Sequence, residues 1–145
     1  MNSSNKGMLK FQLKERTALI TGSTRGIGWS IARGMAEAGA TVYINGRDKK
    51  ILDTRCKSII ELGYNAKPAL FDATDVEAAD KFLESTATPI DILVNNAAIR
   101  LRKPIDEISP QAFSDIVEAN LNSVYAISRS FATRLRNQET KGSLI

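Results

Sequence analysis

A glycine-rich segment near the N-terminus has the residue types and spacing of a phosphate-binding turn. Its sequence is Thr21-Gly22-Ser23-Thr24-Arg25-Gly26-Ile27-Gly28, with glycines spaced G-x-x-x-G-x-G. Glycine lacks a Cβ atom, so the backbone can turn sharply there and approach a pyrophosphate. A helix that begins at such a turn directs its N–H groups and positive dipole end toward the anion. The segment therefore predicts a nucleotide-binding loop, with a tight turn of some other α/β protein as the alternative.

Two arginines flank the position expected for the adenosine ribose of a bound dinucleotide. Strand two of the predicted fold ends at Asn45-Gly46-Arg47, without the carboxylate that binds the ribose hydroxyls in NAD-preferring folds of this type. Arg47 and Arg25 instead offer planar guanidinium groups, which donate paired hydrogen bonds to a phosphate. We therefore assign Asn45 and Arg47 to the site and predict NADP as the preferred cofactor, with NAD as the other candidate. An exposed surface position is the alternative for each arginine.

Two further polar segments follow predicted strands. Phe71-Asp72-Ala73-Thr74 comes at the end of strand three, where a carboxylate is able to accept a hydrogen bond from the adenine amino group. A helix cap is the alternative for Asp72, and Asp75 is an equally good cap. Asn95-Asn96-Ala97-Ala98 follows strand four, where small residues allow close backbone approach and amides bridge neighbouring strand ends. We assign to the cofactor site Asp72, Ala73, Asn95, Asn96 and Ala97.

The elements that must position these segments alternate between strand and helix. Apolar runs predict strands over 17–21, 41–44, 66–71 and 90–95, and the start of a fifth strand over 142–145. Helical spacing predicts helices over 29–38, between Asp48 and Gly63, over 76–86 and over 111–136, the first with an apolar face that includes Ile27. This order predicts a doubly wound parallel sheet of the Rossmann type in three α/β/α layers. The expected strand order is 3-2-1-4, with the nucleotide at the carboxyl ends of the strands.

Composition bounds the remaining function classes. The chain has 145 residues, of which 43% are hydrophobic and 25% charged, as in an ordinary globular domain. Its net charge of +4 comes from scattered basic residues, so we expect no nucleic-acid partner. No apolar run reaches membrane-spanning length, and we expect no membrane partner and a cytoplasmic location. Histidine is absent from the sequence, which excludes histidine catalysis, and we predict no metal site. Residues 1–10 predict a flexible tail before a domain over 11–145.

Together, these motifs resemble the N-terminal part of the short-chain dehydrogenase/reductase family. Thr21, Gly22, Gly26 and Gly28 match the family's T-G-x-x-x-G-x-G loop. Asp72 matches its adenine-contacting acid, and Asn95-Asn96-Ala97 matches its N-N-A-G segment. Asn120 matches the helix asparagine of the catalytic tetrad, which organises a water in a proton relay. The resemblance implies an NAD(P)-dependent oxidoreductase that acts on an alcohol or ketone and forms a homo-oligomer.

Two segments resemble gluconate 5-dehydrogenases and related sugar-acid reductases within that family. They are Asn45-Gly46-Arg47-Asp48 and the basic run that follows Asn95-Asn96-Ala97. The resemblance implies a sugar-acid substrate such as gluconate or 5-ketogluconate. Arg100 and Arg102 are weak candidates for attracting its carboxylate, and an exposed basic loop is the alternative for each.

The sequence departs from the family pattern at two points. Ala98 stands where the family has glycine, which costs about 1 kcal/mol if that backbone has a positive φ. The family's catalytic serine and its Tyr-x-x-x-Lys pair are not matched. The positions four residues after Tyr43, Tyr64 and Tyr125 hold Arg47, Pro68 and Arg129. We therefore expect an incomplete domain, truncated at the start of strand five, that is inactive alone. A non-catalytic nucleotide-binding fragment or degenerate remnant is the alternative function.

Overall fold

The computed structural model describes residues 12–145, and the tail predicted over residues 1–10 lies outside them. Five strands of the described residues form one parallel sheet in the order β3-β2-β1-β4-β5. They are β1 (Thr17–Ile20), β2 (Thr41–Gly46), β3 (Ala66–Leu70), β4 (Ile92–Val94) and β5 (Ser143–Leu144). This order confirms the predicted 3-2-1-4 arrangement, and β5 continues the sheet beside β4.

Helices connect the strands as the predicted alternation requires. They are α1 (Gly26–Glu37), α2 (Lys49–Ile60), α3 (Val76–Ser85), α4 (Pro110–Val117) and α5 (Ser123–Asn137), with a short 3-10 helix at Ile105–Glu107. A π-helical segment, Glu118–Asn122, joins α4 to α5. Helical structure therefore extends over the whole segment predicted at 111–136, but it contains one wider, π-helical turn. Such turns often mark functional sites in helices.

Side chains alternate along the strands and divide the core into two layers. Ala18, Ile20 and Val94 face α1 and α2 on one side of the sheet. Leu19 and Leu93 face α3 and α5 on the other. Both faces of the sheet are thus covered by helices, which is the three-layer arrangement that the sequence predicts.

Capping residues fix where three of the helices begin. Asp48, Asp75 and Ser109 each accept a hydrogen bond from a backbone N–H of the first turn of α2, α3 and α4. Asp48 is thus the predicted cap. Asp75 rather than Asp72 caps α3, which decides between the two candidates that the sequence left open. Asp72 is therefore available for other contacts.

Two local expectations require correction or resolution. Ile27, in the first turn of α1, is 76% exposed, and the buried stripe of this helix is formed by Gly28, Ala32 and Ala36. Its predicted place on the apolar face of the helix is wrong. Ala98 does not have a positive φ, so the strain expected there is absent; in the described part of the chain, the non-glycine residues with a positive φ are Glu15 and Glu139.

None of the helices over residues 12–145 combines the length and apolar character that a membrane crossing requires.

Candidate nucleotide-binding site

The glycine loop lies at the carboxyl end of β1 and leads directly into α1. Gly22 has a φ of +60°, and a Cβ atom there would lie 2.9 Å from the Cα of Ala97. A Cβ atom on Gly28 would collide with the side-chain amide of Asn96. A side chain is therefore excluded at both positions, by backbone conformation at the first and by close approach at both. The loop lies against the residues that follow β4.

The N-terminus of α1 differs from those of α2, α3 and α4. Its N-cap residue is Arg25, which makes no side-chain cap hydrogen bond, and the first turn holds no acidic residue. A capping carboxylate or hydroxyl occupies the corresponding position in α2, α3 and α4. The N–H groups at the start of α1 thus lack a capping side chain, and the helix dipole favours an anion beside them. This geometry fits the pyrophosphate of a dinucleotide.

Thr21 and Asn96 join the ends of β1 and β4. The Thr21 hydroxyl donates to the Val94 carbonyl (3.3 Å) and accepts from the backbone N–H groups of Asn96 (2.9 Å) and Ala97 (3.0 Å). The Asn96 side-chain amide donates to the carbonyls of Thr21 and Gly22 at 2.9 and 3.1 Å. The predicted amide bridge between strand ends is confirmed. The central role of Thr21 was not predicted, although its place at the start of the loop was a usable signal.

Asn45 and Ser23 hold the loop against the end of β2. Asn45 is buried; its Oδ1 accepts from the Gly22 N–H at 2.9 Å, and its Nδ2 donates to the carbonyls of Ala69 and Phe71 at 3.0 Å. The Ser23 hydroxyl donates to the Ile20 carbonyl and accepts from the Asn45 N–H. Because these side chains are buried and engaged inside the protein, they shape the site and offer little to a ligand directly.

Arg47 and Asp72, which the sequence assigned separately, form an ion pair. Arg47 Nη1 donates to Asp72 Oδ2 at 3.3 Å, and the arginine side chain is 79% exposed. Asp72 Oδ1 accepts from the backbone N–H and the hydroxyl of Thr74 at 2.9 and 2.8 Å. Burial alone would raise the pKa of Asp72, but the hydrogen bonds from Thr74 and the charge of Arg47 hold it below its usual value. Asp72 is therefore an anion beside the arginine.

Three other predicted residues differ in their surroundings. Arg25 and Ile27 are exposed at the loop, so both are open to a ligand. Ala73 is half-buried and packs against the core layer that α3 and α5 cover.

A further arginine, Arg55 of α2, donates from Nε to the Thr24 carbonyl at 2.8 Å. Sequence reasoning missed Arg55, because nothing in its own segment indicates that α2 reaches the loop.

Asn120 lies in the π-helical segment and binds the chain that follows β4. Its Oδ1 accepts from the Ile99 N–H and its Nδ2 donates to the Ile99 carbonyl, both at 2.9 Å. Asn95 donates from Nδ2 to the Ser128 hydroxyl of α5 at 3.1 Å. Arg100 and Arg102 are exposed in the same connection. Within residues 12–145, no hydrogen bond joins Asn120 or these two arginines to the glycine loop, so the predicted substrate residues form a separate group.

The sequence profile of the short chain dehydrogenase family matches residues 16–145. The chain belongs to this family. It is 38% identical over 128 residues to gluconate 5-dehydrogenase of Gluconobacter oxydans, covering 86% of this chain and 50% of that protein. It is 33% identical over 138 residues to 5-keto-D-gluconate 5-reductase of Escherichia coli K12, covering 93% and 54%. This short-chain dehydrogenase chain therefore spans about half the length of these relatives, which are oxidoreductases.

Solved structures of other short-chain dehydrogenases superimpose closely on it. A gluconate 5-dehydrogenase from Burkholderia cenocepacia, crystallised with NADP and tartrate, gives a TM-score of 0.83 at 36% identity, covering 94% of this chain and 55% of that one. A 3-oxoacyl-[acyl-carrier protein] reductase from Brucella melitensis, crystallised with NAD, gives 0.85 at 28% identity, covering 94% and 55%. These neighbours support a nicotinamide cofactor for the family member described here.

Proposed function

We propose that this chain forms the dinucleotide-binding part of an oxidoreductase that interconverts an alcohol and a ketone on a sugar acid, with NADP preferred over NAD. The observation behind the proposal is the α1 N-terminus, which begins at Gly26, four residues after Gly22, and whose N-cap residue, Arg25, makes no side-chain cap hydrogen bond. The names of the relatives, gluconate 5-dehydrogenase and 5-keto-D-gluconate 5-reductase, support the substrate class.

In this proposal, different residues bind the cofactor and assist proton transfer. The bound dinucleotide supplies or accepts the hydride. The backbone of residues 22–28 binds its pyrophosphate, Arg25 and Arg47 bind its 2′-phosphate, and Asp72 and Ala73 contact its adenine. Asn95, Asn96 and Ala97 form the wall of the site after β4. Asn120 organises the water through which a proton leaves or enters.

Arg100 and Arg102 attract the substrate carboxylate in this proposal. Both side chains are exposed in the connection that follows Asn96. The same connection contains Ile99, whose backbone N–H donates to Asn120. Two cations in one loop raise the local concentration of an anionic substrate. This arrangement favours a sugar acid over an uncharged alcohol.

A second candidate function is nucleotide binding without turnover. It is favoured by one sequence observation: none of the tyrosines of the 145 residues has a lysine four positions later. General acid–base catalysis contributes roughly 10²- to 10⁴-fold, so a polypeptide of residues 1–145 without a proton donor would lose about that factor. The two functions differ in what a polypeptide of residues 1–145 does when it is given both cofactor and substrate.

Turnover measurements on two polypeptides separate these functions. We expect residues 1–145 to bind NADP(H) without measurable turnover of gluconate or 5-ketogluconate. A chimera with the C-terminal half of the Gluconobacter oxydans enzyme fused after Ile145 should turn them over, and Asn120→Ala should slow the chimera without abolishing cofactor binding. Turnover by the purified 145-residue chain would contradict the expectation that residues 1–145 are inactive alone. A folded, NADP-binding chimera that reduces no sugar acid contradicts the oxidoreductase proposal for this half.

The same proposal includes self-association through the α4–α5 side of the chain. Phe113, Leu121 and Tyr125 are each at least 60% exposed there, and Leu144 and Ile145 are exposed beside β4. Apolar surface of this kind, together with an unpaired sheet edge, favours contact with another copy. Light scattering should therefore give a mass above 15.9 kDa for residues 1–145. A monodisperse monomer at high concentration would contradict this part of the proposal.

A further inference from the structure

Arg55 of α2 reaches across to the glycine loop from a helix that carries none of the predicted site residues. Its Nε donates to the Thr24 carbonyl at 2.8 Å, across 31 positions of sequence. Its guanidinium carbon lies 4.7 Å from the ring centroid of Trp29, in the first turns of α1. The cation–π contact and the hydrogen bond together restrict the Arg55 side chain.

Thr24 is also held from the opposite side. A Cβ atom on Gly46, at the end of β2, would lie 2.7 Å from the Thr24 methyl carbon. Thr24 therefore packs directly against the backbone of Gly46 while Arg55 binds its carbonyl. The next residue, Arg25, is joined to α1 through its backbone, because its carbonyl accepts from the Trp29 N–H at 3.3 Å, but its side chain is exposed and makes no cap hydrogen bond. The position of the Thr24–Arg25 peptide thus depends on these two contacts.

We propose that Arg55 is a positioning residue of the nucleotide site, which acts through its Nε–H on the Thr24 carbonyl and not through its charge. By fixing this peptide it sets the direction of Arg25 and of the first N–H groups of α1 before a ligand arrives. Pre-ordering a loop lowers the entropic cost of binding, so losing the contact weakens affinity for the dinucleotide. The inference rests on the proposed function, because the ligand is the proposed cofactor.

Four variants separate the hydrogen bond from the charge. Arg55→Gln places an amide nitrogen the same number of bonds from Cα as the arginine Nε, but it is neutral. Arg55→Met is neutral and has no donor. Arg55→Lys keeps the charge and has a methylene at the Nε position. Lys57→Met removes one positive charge from an exposed side chain two residues further along α2, which makes it the matched control.

Calorimetric titration of NADPH into these variants of residues 1–145 tests the proposal. We expect Arg55→Met and Arg55→Lys to bind about tenfold more weakly than the wild-type chain, Arg55→Gln to bind within about threefold of it, and Lys57→Met to bind equally well. Trp29 is the only tryptophan, so its fluorescence reports loss of the stacked guanidinium in every Arg55 variant.

The possible results all bear on the proposal. Equal weakening by Gln and Met, with Lys unaffected, would mean that the charge acts, and the proposal would be overturned. Wild-type affinity in the Met and Lys variants would overturn it as well. If Arg55→Met fails to fold, the contrast between Gln and Lys decides the question. Failure of the wild-type chain to bind NADPH would instead contradict the proposed function itself.

Discussion

The glycine loop and the connection that holds Asn120 differ in how their polar side chains are used. Around the loop, Thr21, Ser23 and Asn45 are buried, and each is hydrogen-bonded to backbone groups. Beyond β4, Asn120 and Arg100 are exposed, and Asn120 has its two bonds to one residue, Ile99. The first region is fixed by interior contacts and the second is attached mainly at the surface.

The proposed cofactor site is therefore held by more buried contacts within the described residues than the proposed substrate region is. A site built from buried, fully hydrogen-bonded side chains is ordered before its ligand arrives. A group of exposed side chains needs further contacts to acquire one geometry. The predictions below test the contrast, beginning with the largest expected effect.

The same substitution at two asparagines compares the regions directly. Asn45→Ala removes the buried side-chain partner of the Gly22 N–H and of the carbonyls of Ala69 and Phe71. We expect it to lower the free energy of unfolding by roughly 2–4 kcal/mol. Asn120→Ala removes two exposed hydrogen bonds and should cost less than about 1 kcal/mol. Urea unfolding of residues 1–145, followed by Trp29 fluorescence, measures both. Equal losses would abolish the contrast.

Charge reversal at Arg47 tests the cofactor preference. In Arg47→Asp, a carboxylate replaces the guanidinium that is proposed to bind the 2′-phosphate. This carboxylate repels the phosphate of NADP and accepts hydrogen bonds from the ribose hydroxyls of NAD. We expect the ratio of NADP to NAD affinity to fall by on the order of 10- to 100-fold and to favour NAD. Lys49→Asp, which reverses an exposed charge two residues away, is the control and should change the ratio by less than about threefold. An unchanged ratio in Arg47→Asp would remove Arg47 from the phosphate site.

The pKa of the Cys56 thiol reports how well the core beside α2 excludes water. Burial first, and the charge of Asp53 second, raise the pKa of Cys56 from 9.0 to about 11. Between these values the unfolded chain has lost the thiol proton and the folded chain has kept it, so stability falls as the pH rises. The expected slope is at most about 1.4 kcal/mol per pH unit. Urea unfolding from pH 8 to 11 should show this fall in the wild-type chain relative to Cys56→Ala, and identical pH profiles would contradict it.

Neutralising Asp72 should have the smallest effect. Asp72→Asn releases Arg47 from its ion pair and removes an anion near the 2′-phosphate position, so the ratio of NADP to NAD affinity should rise about threefold. Loss of an adenine contact would weaken both cofactors and cancel in this ratio. Asp75→Asn removes one charge nearby while keeping a good N-cap, and it should leave the ratio unchanged. A lower ratio in Asp72→Asn would mean that the carboxylate orients Arg47 toward the phosphate.

Much of the fold follows from local sequence signals. The buried run Ala18-Leu19-Ile20 made β1 predictable, and the cap at Asp48 made the start of α2 predictable. The strand order followed from the topology of doubly wound sheets. The π-helical turn at Glu118–Asn122 was not, because no residue type specifies it. Ile27 was misassigned because it lies in the first turn of α1, where its side chain is exposed, whereas Ile31 and Met35 of the same stripe pack against the core.

The structure gives several of the predicted site residues contacts that the sequence did not predict. Gly22 and Gly28 are required by contacts that their spacing anticipated. Asn45 was assigned to the ligand, but its amide holds three backbone groups whose positions depend on strand register. The Arg47–Asp72 pair and the reach of Arg55 depend on how β2, β3 and α2 pack together, which no single segment encodes.

Calorimetric titration of NADP and NAD into residues 1–145 tests the central claim most directly. The claim is that the glycine loop, Arg25 and Arg47 form a dinucleotide site that functions without the substrate region. The expected result is one site per chain, with NADP bound at least about tenfold more tightly than NAD. Equal or tighter binding of NAD, or no binding of either dinucleotide, would contradict it.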